Sequence, residues 1–61
     1  MTPAELVERR KALHLTQYAL AKRLGVHRST VKRWEQGDVF TAPIPAWLDL
    51  ALKALEQEQE R

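Results

Sequence analysis

The sequence predicts a small all-α domain, and three observations lead to that prediction. Ala, Leu, Glu, Lys and Arg are abundant, while only 2 glycines occur in 61 residues, a composition of helix formers. Apolar residues recur at helical rather than alternating spacing, as at Leu20, Ala21 and Leu24 and again at Val31 and Trp34. The two glycines, Gly25 and Gly37, directly follow such stretches, where a helix must end and a positive φ is favoured. A single domain over 1–61 with a polar tail at 56–61 is expected, near the lower size limit for an unstapled core. With 0 cysteines, neither a disulfide nor a thiolate zinc site can support it. No apolar run is long enough for a transmembrane helix, and no basic-then-apolar signal pattern opens the chain.

Each helix has its own signals. In Thr2-Pro3-Ala4-Glu5, Thr2 can cap, Pro3 fits the first helical position and Glu5 completes a capping box. The first helix is then expected to run to about Leu13, with Leu6, Arg10 and Leu13 on one stripe. An arginine within an apolar stripe needs a partner, or else must snorkel to solvent. Thr16 is the expected N-cap of the second helix, which puts Gln17 in its first turn. Leu20, Ala21 and Leu24 form the apolar face of that helix, and the small Ala21 lets the next helix approach closely.

After Gly25 the third helix should begin at His27 or Arg28. His27 is a poor N-cap by type, and Arg28 sets a positive charge at the positive end of the helix dipole. Local rules broken in this way mark a candidate functional site. Val26, Val31 and Trp34 supply the inner face, with Trp34 read as core rather than as a base-stacking ring. Arg28, Ser29, Lys32 and Arg33 are left on the outer face, a composition that fits a DNA major groove. Gln36-Gly37-Asp38 closes the helix.

Val39 to Pro45 reads as an extended connector held off helix by two prolines. The last helix is expected from Pro45 or Ala46 through Leu55 into the polar end, a solvated helix terminus. Ile44, Leu48, Ala51, Leu52 and Leu55 make one apolar stripe, and Trp47, Leu50 and Ala54 a second, about 100° away. A helix apolar on two sides is buried on two sides. The second partner is either another copy of the chain, with Phe40 joining the surface, or the domain's own core with Trp47 wrapped over it.

Net charge is only +2, but it is unevenly spread. Arg9, Arg10, Lys11, Lys22, Arg23, Arg28, Lys32 and Arg33 form a block with no acid among them. All 8 acids lie outside it. A solvated helix surface usually mixes both signs, so the block points to a polyanionic partner, nucleic acid above all.

Leu15-Thr16-Gln17, Leu20-Ala21, Leu24-Gly25-Val26, Ser29-Thr30-Val31 and Trp34-Glu35-Gln36-Gly37 together resemble the helix-turn-helix of the phage repressor and Cro-like family, also called the XRE family. The likeness extends more loosely from about Leu6 to Leu55. It implies a compact four- to five-helix, lambda-repressor-like domain whose helix-turn-helix is formed by helices 2 and 3. It also implies a cytoplasmic transcription regulator of a prokaryotic, phage or mobile-element setting, most often a repressor. Such proteins usually act as a homodimer on a palindromic operator in double-stranded DNA, with recognition helices about 34 Å apart.

Carried over by position, the resemblance assigns base contacts to Arg28, Ser29, Lys32 and Arg33. Arg28 and Ser29 lie at the tip, Arg33 about a turn deeper, and both arginines suit guanine O6 and N7. Gln17 is implied as a phosphate donor beside a helix N-terminus that already attracts anions. His27 is implied against a phosphate or a thymine methyl. An Arg10–Glu35 pair is implied too, joining the first helix to the end of the third, with a remaining Arg10 N–H for phosphate. The motif core is Leu20, Ala21, Leu24, Gly25, Val26, Val31 and Trp34; the candidate dimer surface, read from the second apolar stripe rather than from the resemblance, is Trp47, Leu50 and Ala54 with Phe40. The chain departs from the family at Ala19, at His27 and at Asp38, an acid where a base is frequent.

Other classes fit less well. An enzyme is not expected, since no cysteine is present, His14 and His27 lie apart and no carboxylate pair sits in a plausible pocket. No metal ligand set, cofactor or small-molecule ligand is expected either. A homeodomain reads adenine with an asparagine of its third helix, and this chain has none. An antitoxin or interaction adaptor on the same fold, using the Phe40 and Trp47 surface, is the serious alternative.

Overall fold

Three of the four helices end in the same backbone device, and only two of those ends use glycine. A computed structural model describes residues 1–38 and 43–59 and contains α1 (Pro3–Ala12), α2 (Gln17–Leu24), α3 (Arg28–Gln36) and α4 (Trp47–Gln59). The described residues are helical or irregular, with no strand among them, so the all-α expectation holds with four helices. None of these helices is long and apolar enough to cross a membrane.

At α2 and α3 the left-handed residues are Gly25 (φ 76°) and Gly37 (φ 80°). Val26 N–H reaches back to the Ala21 carbonyl at 3.0 Å, and Asp38 N–H to the Arg33 carbonyl at 3.2 Å. At α1 the same position is His14, with φ 58°, and Leu15 N–H bonds the Arg10 carbonyl at 3.3 Å. A side chain in this region is strained by about 1–2 kcal/mol. The turn is kept because it brings Leu13 and Leu15 back against the core on either side of it. A Cβ on Gly25 would meet no atom within 4 Å. The exposed Gly25 therefore serves the motif through its φ rather than by packing.

Helix starts follow the residue types with two differences. Thr2 Oγ1 accepts from Glu5 N–H at 3.1 Å, and Thr16 Oγ1 from Ala19 N–H at 3.0 Å. The Glu5 carboxylate accepts from the Thr2 hydroxyl at 3.2 Å, so the capping box closes on a side chain. The second difference is His27, expected to cap poorly: its Nδ1 accepts from Ser29 N–H at 3.1 Å. An imidazole nitrogen with a free lone pair does the job usually left to a hydroxyl or carboxylate.

The core consists of Leu6, Leu13, Leu20, Ala21, Val31, Trp34, Leu48 and Leu52, with Leu15, Leu24, Val26, Ile44 and Leu55 partly buried against it. Of the expected motif core, Leu24 and Val26 thus sit at its margin. α3 packs against α1 and α2, and α4 closes the assembly with Leu48 and Leu52, both fully buried. α4 begins at Trp47, with Leu48 N–H bonded to the Pro45 carbonyl at 3.1 Å. Its second stripe stays largely outside: Trp47 is 48% exposed and Leu50 68%. Trp47 nonetheless sets its ring edge-on to Trp34, centroids 6.1 Å apart and planes at 78°, so one side of it covers the core. Phe40, assigned to the same surface, lies outside the described residues, as do 39, 41 and 42 of the connector.

The end of α4 is not merely solvated. Glu56 bonds Arg9 at 2.7 Å and Glu58 bonds Arg23 at 2.6 Å, while Gln59 donates to the Leu13 carbonyl at 3.4 Å. Folding brings acids that are distant in sequence onto bases of the first two helices.

Candidate nucleic-acid interface

The cations of the basic block fall into two groups once the chain is folded. Arg9 bonds Asp49 at 2.6 Å and Glu56 at 2.7 Å. These carboxylates hold the guanidinium pKa above its ordinary value, Glu56 most strongly. In return Arg9, with Lys53 behind it at 3.2 Å, holds Asp49 below the usual carboxylate value. Arg23 is tied to Glu58. By contrast Lys11, Lys22, Arg28, Lys32 and Arg33 are exposed and face no carboxylate among the described residues.

Arg10 and Glu35 form the inner brace. Arg10 Nε donates to Glu35 Oε2 at 2.6 Å and Nη2 to Oε1 at 3.2 Å, a two-point pair with side chains only 13% and 7% exposed. Arg10 Nη1 donates to the Leu15 carbonyl at 2.9 Å, so each guanidinium nitrogen has a partner inside the domain. Gln17 Nε2 joins them, donating to Glu35 Oε1 at 2.9 Å. A single carboxylate thereby links α1, the turn after it, the start of α2 and the end of α3. The Gln17–Glu35 bond has no helical periodicity to announce it, because the two residues lie 18 apart in sequence. It uses one of the two amide N–H groups and leaves the other available.

The start of α3 lies beside the start of α2. Gln17, His27, Arg28, Ser29 and Lys32 line one shallow depression, and Tyr18, Lys22, Val26, His27 and Arg28 line an adjoining one. Arg33 stands outside both, exposed farther along the helix. On α3 the inner face is Val31, fully buried, and Trp34, 4% exposed. Arg28, Ser29, Lys32 and Arg33 all lie on the exposed side. Tyr18, 60% exposed, and Lys22 are neighbours of the site not assigned a role above. Their one sequence signal is the four-residue spacing that stacks them on the polar face of α2.

Chemically, this surface offers donors and positive charge from two helix starts, with an aromatic ring at its edge. A family model described as helix-turn-helix matches residues 6–43. The chain belongs to the XRE/Cro-like helix-turn-helix family. The matched segment contains all of α2 and α3 and most of α1, the elements that hold the cationic surface. The same comparisons find no match among curated proteins or solved structures. Family membership makes this chain a DNA-binding transcription regulator in general terms; the family is a regulatory one, not typically enzymatic.

Proposed function

We propose that this XRE-family protein is a sequence-specific regulator of double-stranded DNA, acting as a repressor that reads the major groove with α3. The observation supporting this reading is the division of the charge. The acids of α4 pair with Arg9 and Arg23, whereas Arg28, Lys32 and Arg33 face outward with no carboxylate partner among the described residues. In this reading Arg28 and Arg33 each take a guanine edge, Lys32 a base or a phosphate, and Ser29 a base edge. The second Gln17 N–H and the α2 N-terminus hold a phosphate, with His27 beside them. Arg10 acts first as the brace that fixes α3 through Glu35, with its unused N–H groups toward phosphate.

Selection of bound sites from random duplexes tests the proposal. A recovered motif with strong guanine positions supports it; recovery of unrelated sequences at low salt rejects it. The exposed stripe of Trp47, Leu50 and Ala54 supports a homodimer on a palindromic operator, so the recovered motif should be an inverted repeat. Trp47→Glu is then expected to sediment as a monomer where the wild type sediments as a dimer. Identical sedimentation of the two proteins would remove the dimer from the proposal.

A further inference from the structure

His27 and Ser29 form a unit at the tip of α3. Ser29 N–H donates to His27 Nδ1 at 3.1 Å, and Ser29 Oγ stands 2.8 Å from the same nitrogen. A backbone N–H can only donate, so Nδ1 is the acceptor here, and its single lone pair is shared with the Ser29 hydroxyl. A hydroxyl oxygen this close to a lone pair is repelled unless its own proton lies between them. The Ser29 proton is therefore committed to His27. Toward the outside, the exposed Ser29 Oγ has only lone pairs to offer.

We propose that His27 is a specificity-determining residue acting through Ser29, which it converts from an ambivalent hydroxyl into a hydrogen-bond acceptor. The inference rests on the reading of α3 as the helix in the groove. An unrestrained serine donates or accepts and discriminates weakly between bases. An acceptor-only serine favours adenine or cytosine on the strand it faces, since their exocyclic amines donate in the major groove. Guanine O6 and thymine O4 would oppose it with lone pairs.

The test starts from the site selected by the wild type. Affinities are then measured for all four base pairs at each position. The proteins compared are the wild type, Ser29→Ala, His27→Asn and His27→Leu, with folding of each checked by circular dichroism. The wild type should prefer adenine or cytosine at one position by roughly threefold to tenfold, the size of one hydrogen bond. Ser29→Ala should flatten that position alone. His27→Leu, which has no acceptor to hold the Ser29 proton, should lose or invert the preference there. His27→Asn, whose amide oxygen can cap and accept, should keep it.

A His27→Leu variant that keeps the wild-type preference, or a Ser29→Ala variant with every position intact, overturns this proposal. The reading of α3 would then still stand on the arginine positions. Loss of selectivity at all positions in the wild type overturns both.

Discussion

Five arginines share one acid-free stretch of sequence yet meet two different fates. Arg9, Arg10 and Arg23, on α1 and α2, are each bonded to carboxylates supplied by α3 or α4. Arg28 and Arg33, on α3, face no acid among the described residues. The difference lies in what stands opposite. α1 and α2 lie against the acidic side of α4 or the end of α3, whereas the outer face of α3 has no helix across from it among the described residues. Positive charge in a sequence is therefore a poor count of positive charge at a surface. Neutralising the arginines on the protected side concentrates the remaining field on the side that α3 presents.

Breaking the inner brace should have the largest effect. Glu35→Ala leaves Arg10 enclosed without its anion and is expected to lower stability by about 3 kcal/mol. For a domain of this size that lowers the thermal midpoint by more than about 10 °C, readable by circular dichroism. A midpoint within a few degrees of wild type would mean that the pair is ornamental.

Arg33→Ala probes the unpaired group. It should leave the midpoint nearly unchanged, weaken binding by about 1–3 kcal/mol and relax preference at one base position. Equal loss on all sequences would assign Arg33 to phosphate instead. Gln17→Ala should weaken every sequence alike, by about 1 kcal/mol, with a small drop in stability from the lost bond to Glu35.

A finer test compares neighbours on α2. Lys22→Ala should reduce the slope of log affinity against log salt by about 1, as loss of one phosphate contact does. Arg23→Ala, already paired with Glu58, should leave the slope unchanged. Matching slopes for the two variants would erase the distinction between paired and free bases.

The smallest effect belongs to acid titration of the outer pair. Asp49 is held below its ordinary value by Arg9 and Lys53, so its ionised form is favoured by folding. Its contribution is complete above the unfolded value, about pH 4, and is lost as pH falls through the depressed folded value. Asp49→Asn should flatten the dependence of the thermal midpoint on pH in that acid range and leave it unchanged near neutrality.

Much of the fold was legible from local chemistry. Thr2, Thr16, Gly25 and Gly37 mark helix ends because caps and left-handed turns are decided within a few residues. Leu20, Val31, Leu48 and Leu52 could be placed in the core because helical periodicity puts them on inner faces. His14 was not legible as a left-handed residue: positive φ is uncommon for any non-glycine residue even though histidine tolerates it better than most, and the packing of Leu13 and Leu15 against the core around it imposes the turn. His27 was misjudged for a related reason, since cap preferences by type ignore the rotamer that turns Nδ1 onto Ser29 N–H.

By itself the sequence determined an all-helical domain of four to five helices, their inner faces and the helix-turn-helix pattern, all properties of residues within a turn or two of each other. Tertiary structure alone decided which cations remain exposed, because Arg9 meets Asp49 and Glu56 across 40 and 47 residues, and Arg23 meets Glu58 across 35. Charge pairing follows distance in space, and no local periodicity encodes which helix will stand opposite another.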